Sequence, residues 1–129
     1  MAAHMAKEAG TVLIVDDDAA VRSSLKFALE VEGLSVRLYD GPAALLAERD
    51  LPKCGCLVVD YRMPGMDGLQ LVETLRDQDV VLPVILITAR TSKQLCRSAI
   101  RLGIRYVLEK PLSDGTLVES IRSALAKCN

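Results

Sequence analysis

The chain has no tryptophan, one phenylalanine and three tyrosines among its 129 residues. A core without bulky rings must be filled by Val, Leu, Ile and Ala, which suits buried parallel strands covered by helices. Histidine is as scarce. The one copy, His4, lies in the opening "MAAHMAKEAG", so the body of the chain offers no imidazole for catalysis or metal binding. That opening is weakly patterned and contains the HM dipeptide that cloning junctions leave, so residues 1–9 are set aside as a tag or disordered start. No apolar run approaches the roughly 20 residues that cross a bilayer, and the N-terminus has no signal-peptide core, so a cytoplasmic protein without a membrane role is expected. Neither charge sign is in excess, with 16 basic against 17 acidic residues, and no block of like charge marks a nucleic-acid arm. Glycine-rich phosphate loops are missing in both common spacings. The four cysteines, Cys54, Cys56, Cys96 and Cys128, make a poor zinc set without histidine. They read as free, buried or half-buried thiols, with metal or disulfide use as the lesser alternatives.

What is present is regular. The length suits one packed domain, and five short apolar runs recur along it: "TVLIV" (11–15), "LSVRLY" (34–39), "CLVVD" (56–60), "PVILIT" (83–88) and "RYVLEK" (105–110). Between them lie amphipathic helical patterns. The first places Val21, Leu25, Ala28 and Leu29 on one stripe, with Asp18 as its cap and Gly33 as its end. "GPAALLAERD" carries Pro42 at a first-turn position. The third opens on Asp67, the fourth on Thr91 or Ser92 and the fifth on Ser113 or Asp114. Strands alternating with helices predict an α/β fold, a parallel sheet wound on both faces by right-handed crossovers, with five strands and five helices.

Two of the apolar runs end in acid. "LIVDDD" gives Asp16, Asp17 and Asp18, and "LVVDYRMPGMDG" gives Asp60. Ligands of open α/β sheets bind beyond the carboxyl ends of the strands, where the strand order reverses. If the first and third strands are central neighbours, Asp16, Asp17 and Asp60 converge there, and carboxylates kept ionised in such company need a cation. Oxygen donors without His or Cys specify a hard divalent ion, Mg²⁺ or alternatively Mn²⁺. "ILIT" brings the Thr88 hydroxyl to the same crevice and "LEKP" brings Lys110. A cation, a carboxylate nucleophile, a hydroxyl donor and an ammonium describe a phosphoryl site, with Asp60 attacking phosphorus.

Together "DD", "DYRMPGMDG", "TA" at Thr88–Ala89 and "KP" at Lys110–Pro111 resemble the receiver domain of two-component response regulators. The likeness runs from Thr11 to about Ala126 and assigns residues 10–129 to that domain. "DYRMPGMDG" is similar to the nitrogen-fixation and nitrate-type regulators. The resemblance implies a flavodoxin-like sheet of order 2-1-3-4-5. It implies that Asp60 takes a phosphoryl group from the histidine of a sensor histidine kinase. It further implies that Asp17 ligates Mg²⁺ directly, Asp16 mainly through water, and the Arg62 backbone carbonyl completes the protein's donors. Thr88 would bond a phosphoryl oxygen, Lys110 would pair with its charge, and the Lys110–Pro111 bond would be cis. Arg62, Gly65 and Ala89 would line the site and tune hydrolysis. The output would run through the face of the fourth helix, fifth strand and fifth helix, to a second copy or to a transcriptional domain outside this chain that alone would meet DNA.

One position departs from the pattern. Receivers commonly carry an aromatic residue three before the lysine; here that place holds Val107, with Tyr106 on the opposite strand face. Three other functions compete. A haloacid-dehalogenase-like phosphatase wants a second acid two residues after the nucleophile, where this chain has Arg62. A nucleotide-binding module wants the missing phosphate loop, and a scaffold that has lost its chemistry would lack an acid or the lysine.

Overall fold

The structure is a computed structural model that describes residues 10–127. The expected tag at 1–9 and Cys128 therefore lie outside the described residues. In chain order the elements are β1 (Thr11–Val15), α1 (Ala19–Val31), β2 (Ser35–Tyr39), α2 (Pro42–Leu46), β3 (Gly55–Asp60), α3 (Gly68–Asp77), β4 (Val84–Thr88), α4 (Lys93–Arg101), β5 (Tyr106–Glu109) and α5 (Asp114–Ala126). All pairings are parallel, and the sheet order is β2-β1-β3-β4-β5.

Covering both faces of a parallel sheet buries its middle strands: β3 and β4 are buried throughout, and β1 is buried from Val12 onward. Side chains alternate between two cores. Leu13, Leu57 and Leu86 pack with Leu45, Leu71, Leu75 and Leu95 beneath α2, α3 and α4. Val12, Val58 and Ile85 pack with Leu29, Leu117 and Ile121 beneath α1 and α5. The same alternation sends Val107 to the first core and Tyr106 to the second.

The helix starts follow their caps. The Asp18 carboxylate accepts from the N–H groups of Ala20 and Val21, Ser92 caps α4 through the Leu95 N–H, and Asp67 and Gln70 close a reciprocal capping box on α3. The expected helix over 41–50 is shorter than its pattern, because Glu48 turns away to accept from the Tyr39 hydroxyl at 2.8 Å and Arg37 holds the Asp50 carbonyl at 3.0 Å. The cysteine reading needs one correction. Cys56 and Cys96 are free thiols, and burial pushes the Cys56 thiol up to about 12, but Cys54 is disulfide-bonded. The spacing that relates Cys54 to Cys56 carries no sign of this bond, since Cys56 stays free.

Gly68, the first residue of α3, fixes how closely that helix approaches the end of β3. A Cβ there would lie 2.9 Å from the Asp60 carbonyl oxygen and 3.1 Å from the Tyr61 Cα, backbone atoms that cannot swing aside. Gly68→Ala is expected to cost about 1–3 kcal/mol by overpacking. Urea unfolding checks it, and an unchanged midpoint would contradict the close approach.

Candidate functional site

β1 lies between β2 and β3, so the crossovers change direction there and a crevice opens beyond the strand ends. The register Val15↔Val59 places Asp16 beside Asp60. Oxygen atoms of Asp16, Asp17 and Asp60 all lie within 4.8 Å of one another, a grouping that can hold a metal ion. Asp16 and Asp60 are buried, at 5% and 8% exposure, while Asp17 is exposed.

The electrostatics show what the cluster lacks. Burial raises the Asp16 carboxyl above its ordinary value, opposed by the Asp18 N–H that donates to its Oδ1 at 2.9 Å and by Lys110. Burial also raises Asp60, the neighbouring Asp16 charge adds to the rise, and Lys110 opposes it. Lys110 Nζ stands 3.3 Å from Asp60 Oδ1, but one half-exposed ammonium does not balance three carboxylates. The all-oxygen donor set and the deficit of positive charge fit a hard divalent cation.

Of the residues expected at the site, Asp16, Asp17, Asp60 and Lys110 come together. Thr88 ends β4 and is buried, but its hydroxyl donates to the Arg90 carbonyl at 3.0 Å and accepts from the Arg90 N–H at 3.3 Å. The threonine is thus held by the loop that follows it. Arg62 follows Tyr61 after Asp60, with its guanidinium 5.7 Å from the Tyr61 ring centroid. The Lys110–Pro111 bond is cis, and the Lys110 N–H donates to the Thr88 carbonyl at 2.8 Å.

Arg22 is the site residue that sequence reading passed over. From the first turns of α1 its Nη1 donates to the Asp16 carbonyl at 2.7 Å, a charge-assisted bond that ties the acid-bearing loop to the helix. Its sole sequence signal is a basic residue six positions after the first acid. Arg22→Met is expected to weaken Mg²⁺ binding about tenfold, the scale seen when groups that orient metal ligands are removed. Titration calorimetry checks this, and an unchanged affinity would contradict the role.

Fold and pocket together define a doubly wound α/β protein with an acid cluster and a lysine at its switch point. The profile of the response regulator receiver domain family matches residues 12–122. Transcriptional regulatory protein FixJ of Bradyrhizobium diazoefficiens is 38% identical over 116 residues, 90% of this chain and 57% of that protein. The C4-dicarboxylate transport transcriptional regulatory protein DctR of Rhodobacter capsulatus is 40% identical over 118 residues, 90% of this chain and 60% of that protein. The chain thus spans little more than half the length of these relatives. Among solved structures, FixJ-N superposes with a TM-score of 0.83 at 36% identity, covering 91% of this chain and 94% of that one. Vibrio cholerae chemotaxis protein CheY4 gives 0.79 at 25% identity, covering 90% and 98%. This chain belongs to the response regulator receiver domain family.

Proposed function

We propose that the domain accepts a phosphoryl group on Asp60 from a phosphohistidine of a sensor histidine kinase, and that the acyl phosphate switches the face formed by α4, β5 and α5. The observation that carries this reading is the placement of Asp60. It ends a fully buried strand yet opens on the crevice, flanked by Asp16, Asp17 and Lys110. The Asp60 oxygen turned away from Lys110 attacks phosphorus in line with the P–N bond. That bond breaks, its electron pair leaves with the imidazole, and the imidazole takes up a proton. Lys110 favours the ionised carboxylate before attack and pairs with the phosphoryl charge afterwards. Asp16, Asp17 and Asp60, with the Arg62 backbone carbonyl, would hold Mg²⁺ or Mn²⁺, which when bound neutralises charge on the transferring oxygens.

The Thr88 hydroxyl, bonded to Arg90 in this structure, is the group a phosphoryl oxygen competes for. Moving it would draw on the loop into α4, which is also tied by the Thr91 N–H donating to Glu109 at the end of β5. Phosphorylation biases such an equilibrium only by its differential affinity for the two arrangements. Val107, standing where receivers commonly carry an aromatic ring, offers less bulk to gate that face, so Thr88 carries more of the coupling. The partners on this reading are the kinase, a second copy on phosphorylation, and a transcriptional domain that alone meets DNA. The location is cytoplasmic, and the chemistry is confined to the protein's own phosphorylation and dephosphorylation.

Intact-mass spectrometry after incubation with a small acyl phosphate tests the reading. One phosphoryl adduct that requires Mg²⁺ and is missing from Asp60→Asn supports it. A folded protein that gains no adduct with Mg²⁺ present overturns it in favour of an interaction scaffold.

A further inference from the structure

The opposite end of the sheet holds a cation without an anionic partner among the described residues. Arg76, in the last turn of α3, is anchored by its Nε to the Leu102 carbonyl and by its Nη1 to the carbonyls of Val80 and Leu82, each at 3.0 Å. These bonds fix the guanidinium plane, and none of them brings a negative charge. Desolvation lowers the Arg76 pKa from its ordinary value. Nη2 has no hydrogen-bond partner among the described residues, and no side-chain nitrogen or oxygen there is both sealed from solvent and unpartnered. Nη2 therefore faces open space.

That space is a cavity of about 190 Å³ between the end of α3, the starts of β4 and β5 and the end of α5. Arg105 and Lys127 line it together with Arg76, and among the described residues its lining includes no acid. Gly103, at φ +79°, leaves the mouth unfilled: a Cβ at that position would meet Arg76 Nη2 alone, at 3.9 Å. Pro83, Val84 and Tyr106 supply an apolar wall. Three cations, one of them immobile, around a small apolar-walled space make a complement to a planar or tetrahedral oxyanion.

We infer that this cavity binds a small oxyanion, a carboxylate or phosphate on a compact body, through Arg76 Nη2, Arg105 and Lys127. The site lies at the amino ends of β4 and β5, whereas Thr88 and Lys110 follow from their carboxyl ends. A four- to five-residue strand separates the two ends by roughly 15 Å. The inference is independent of phosphoryl transfer at Asp60.

The test is a backbone amide NMR titration with acetate, with inorganic phosphate and with citrate, each against chloride at matched ionic strength and without divalent ions. The expected result is saturable shifts at Val81, Gly103, Arg105 and Tyr106 for at least one of the three. Arg105→Gln combined with Lys127→Gln should weaken that binding at least tenfold. Both side chains are exposed, so the fold survives, and Arg76 is left in place because it holds three carbonyls. Shifts that match chloride, or that persist in the double variant, would overturn the inference and leave Arg76 as a structural clasp. Shifts confined to the loops of Asp16, Asp60 and Lys110 would also overturn it, since the anion would then occupy the phosphoryl site. Loss of the acyl-phosphate adduct at Asp60 with the cavity shifts intact would sink the proposed function and spare this inference.

Discussion

Asp60→Asn is expected to accept no phosphoryl group and, without divalent ions at pH 7, to unfold at a higher temperature than the parent. The carboxylate is buried beside another, and burial raises both Asp16 and Asp60 above the ordinary 3.8. An amide of the same shape occupies the position without a charge to desolvate. It also leaves Lys110 without its partner, but that side chain is 39% exposed, so water replaces the carboxylate at little cost. Desolvation outweighs the lost pair, and a gain on the order of 1–2 kcal/mol corresponds to about 4–7 °C for a domain of this size. The sign with pH follows from linkage. A carboxyl whose folded pKa lies above its unfolded one binds more protons when folded, so its contribution declines as pH rises from 3.8 through the raised value. The stability difference between variant and parent should therefore open across that window and close below it. Thermal unfolding at several pH values checks this, and a variant less stable than the parent at pH 7 would contradict the electrostatics described for the cluster.

Magnesium should stabilise the parent strongly and an Asp17→Ala variant weakly. A ligand that binds only the folded state at 100 times its dissociation constant adds about 2.7 kcal/mol. Asp16 and Asp60 carry unfavourable charge in the metal-free protein, so binding relieves repulsion as well as forming bonds. Asp17 is exposed and has no hydrogen bond among the described residues, so its removal takes away one carboxylate of the group that can hold a metal ion without opening the core. Its loss should abolish most of the Mg²⁺-dependent rise in unfolding temperature while leaving the metal-free protein little changed. Equal Mg²⁺-dependent shifts in parent and variant would remove Asp17 from the ligand set.

The residues whose place was legible share a feature: each stands at the end of a mainly apolar run. Asp16, Asp60, Thr88 and Lys110 lie at strand ends, and a parallel sheet brings its carboxyl ends to one edge whatever the detail of its loops. Asp18, Asp67 and Ser92 were legible as caps because capping is local. What escaped depends on where long side chains reach through space. Arg22 returning to the Asp16 carbonyl, Glu48 shortening α2 through Tyr39, and the Thr88 hydroxyl turning to Arg90 are set by folded geometry. The Cys54 disulfide and the three carbonyls gathered by Arg76 belong with them. Periodicity reports which face a residue occupies, not what its terminal atoms touch.

Borohydride trapping of the acyl-phosphate-treated protein, followed by peptide mapping, identifies the phosphorylated side chain. Reduction of an aspartyl phosphate yields homoserine and releases phosphate. Homoserine at position 60, formed only when Mg²⁺ was present, is the predicted result. Homoserine at 16 or 17, or at no position in a folded and metal-loaded protein, would contradict Asp60 as the acceptor.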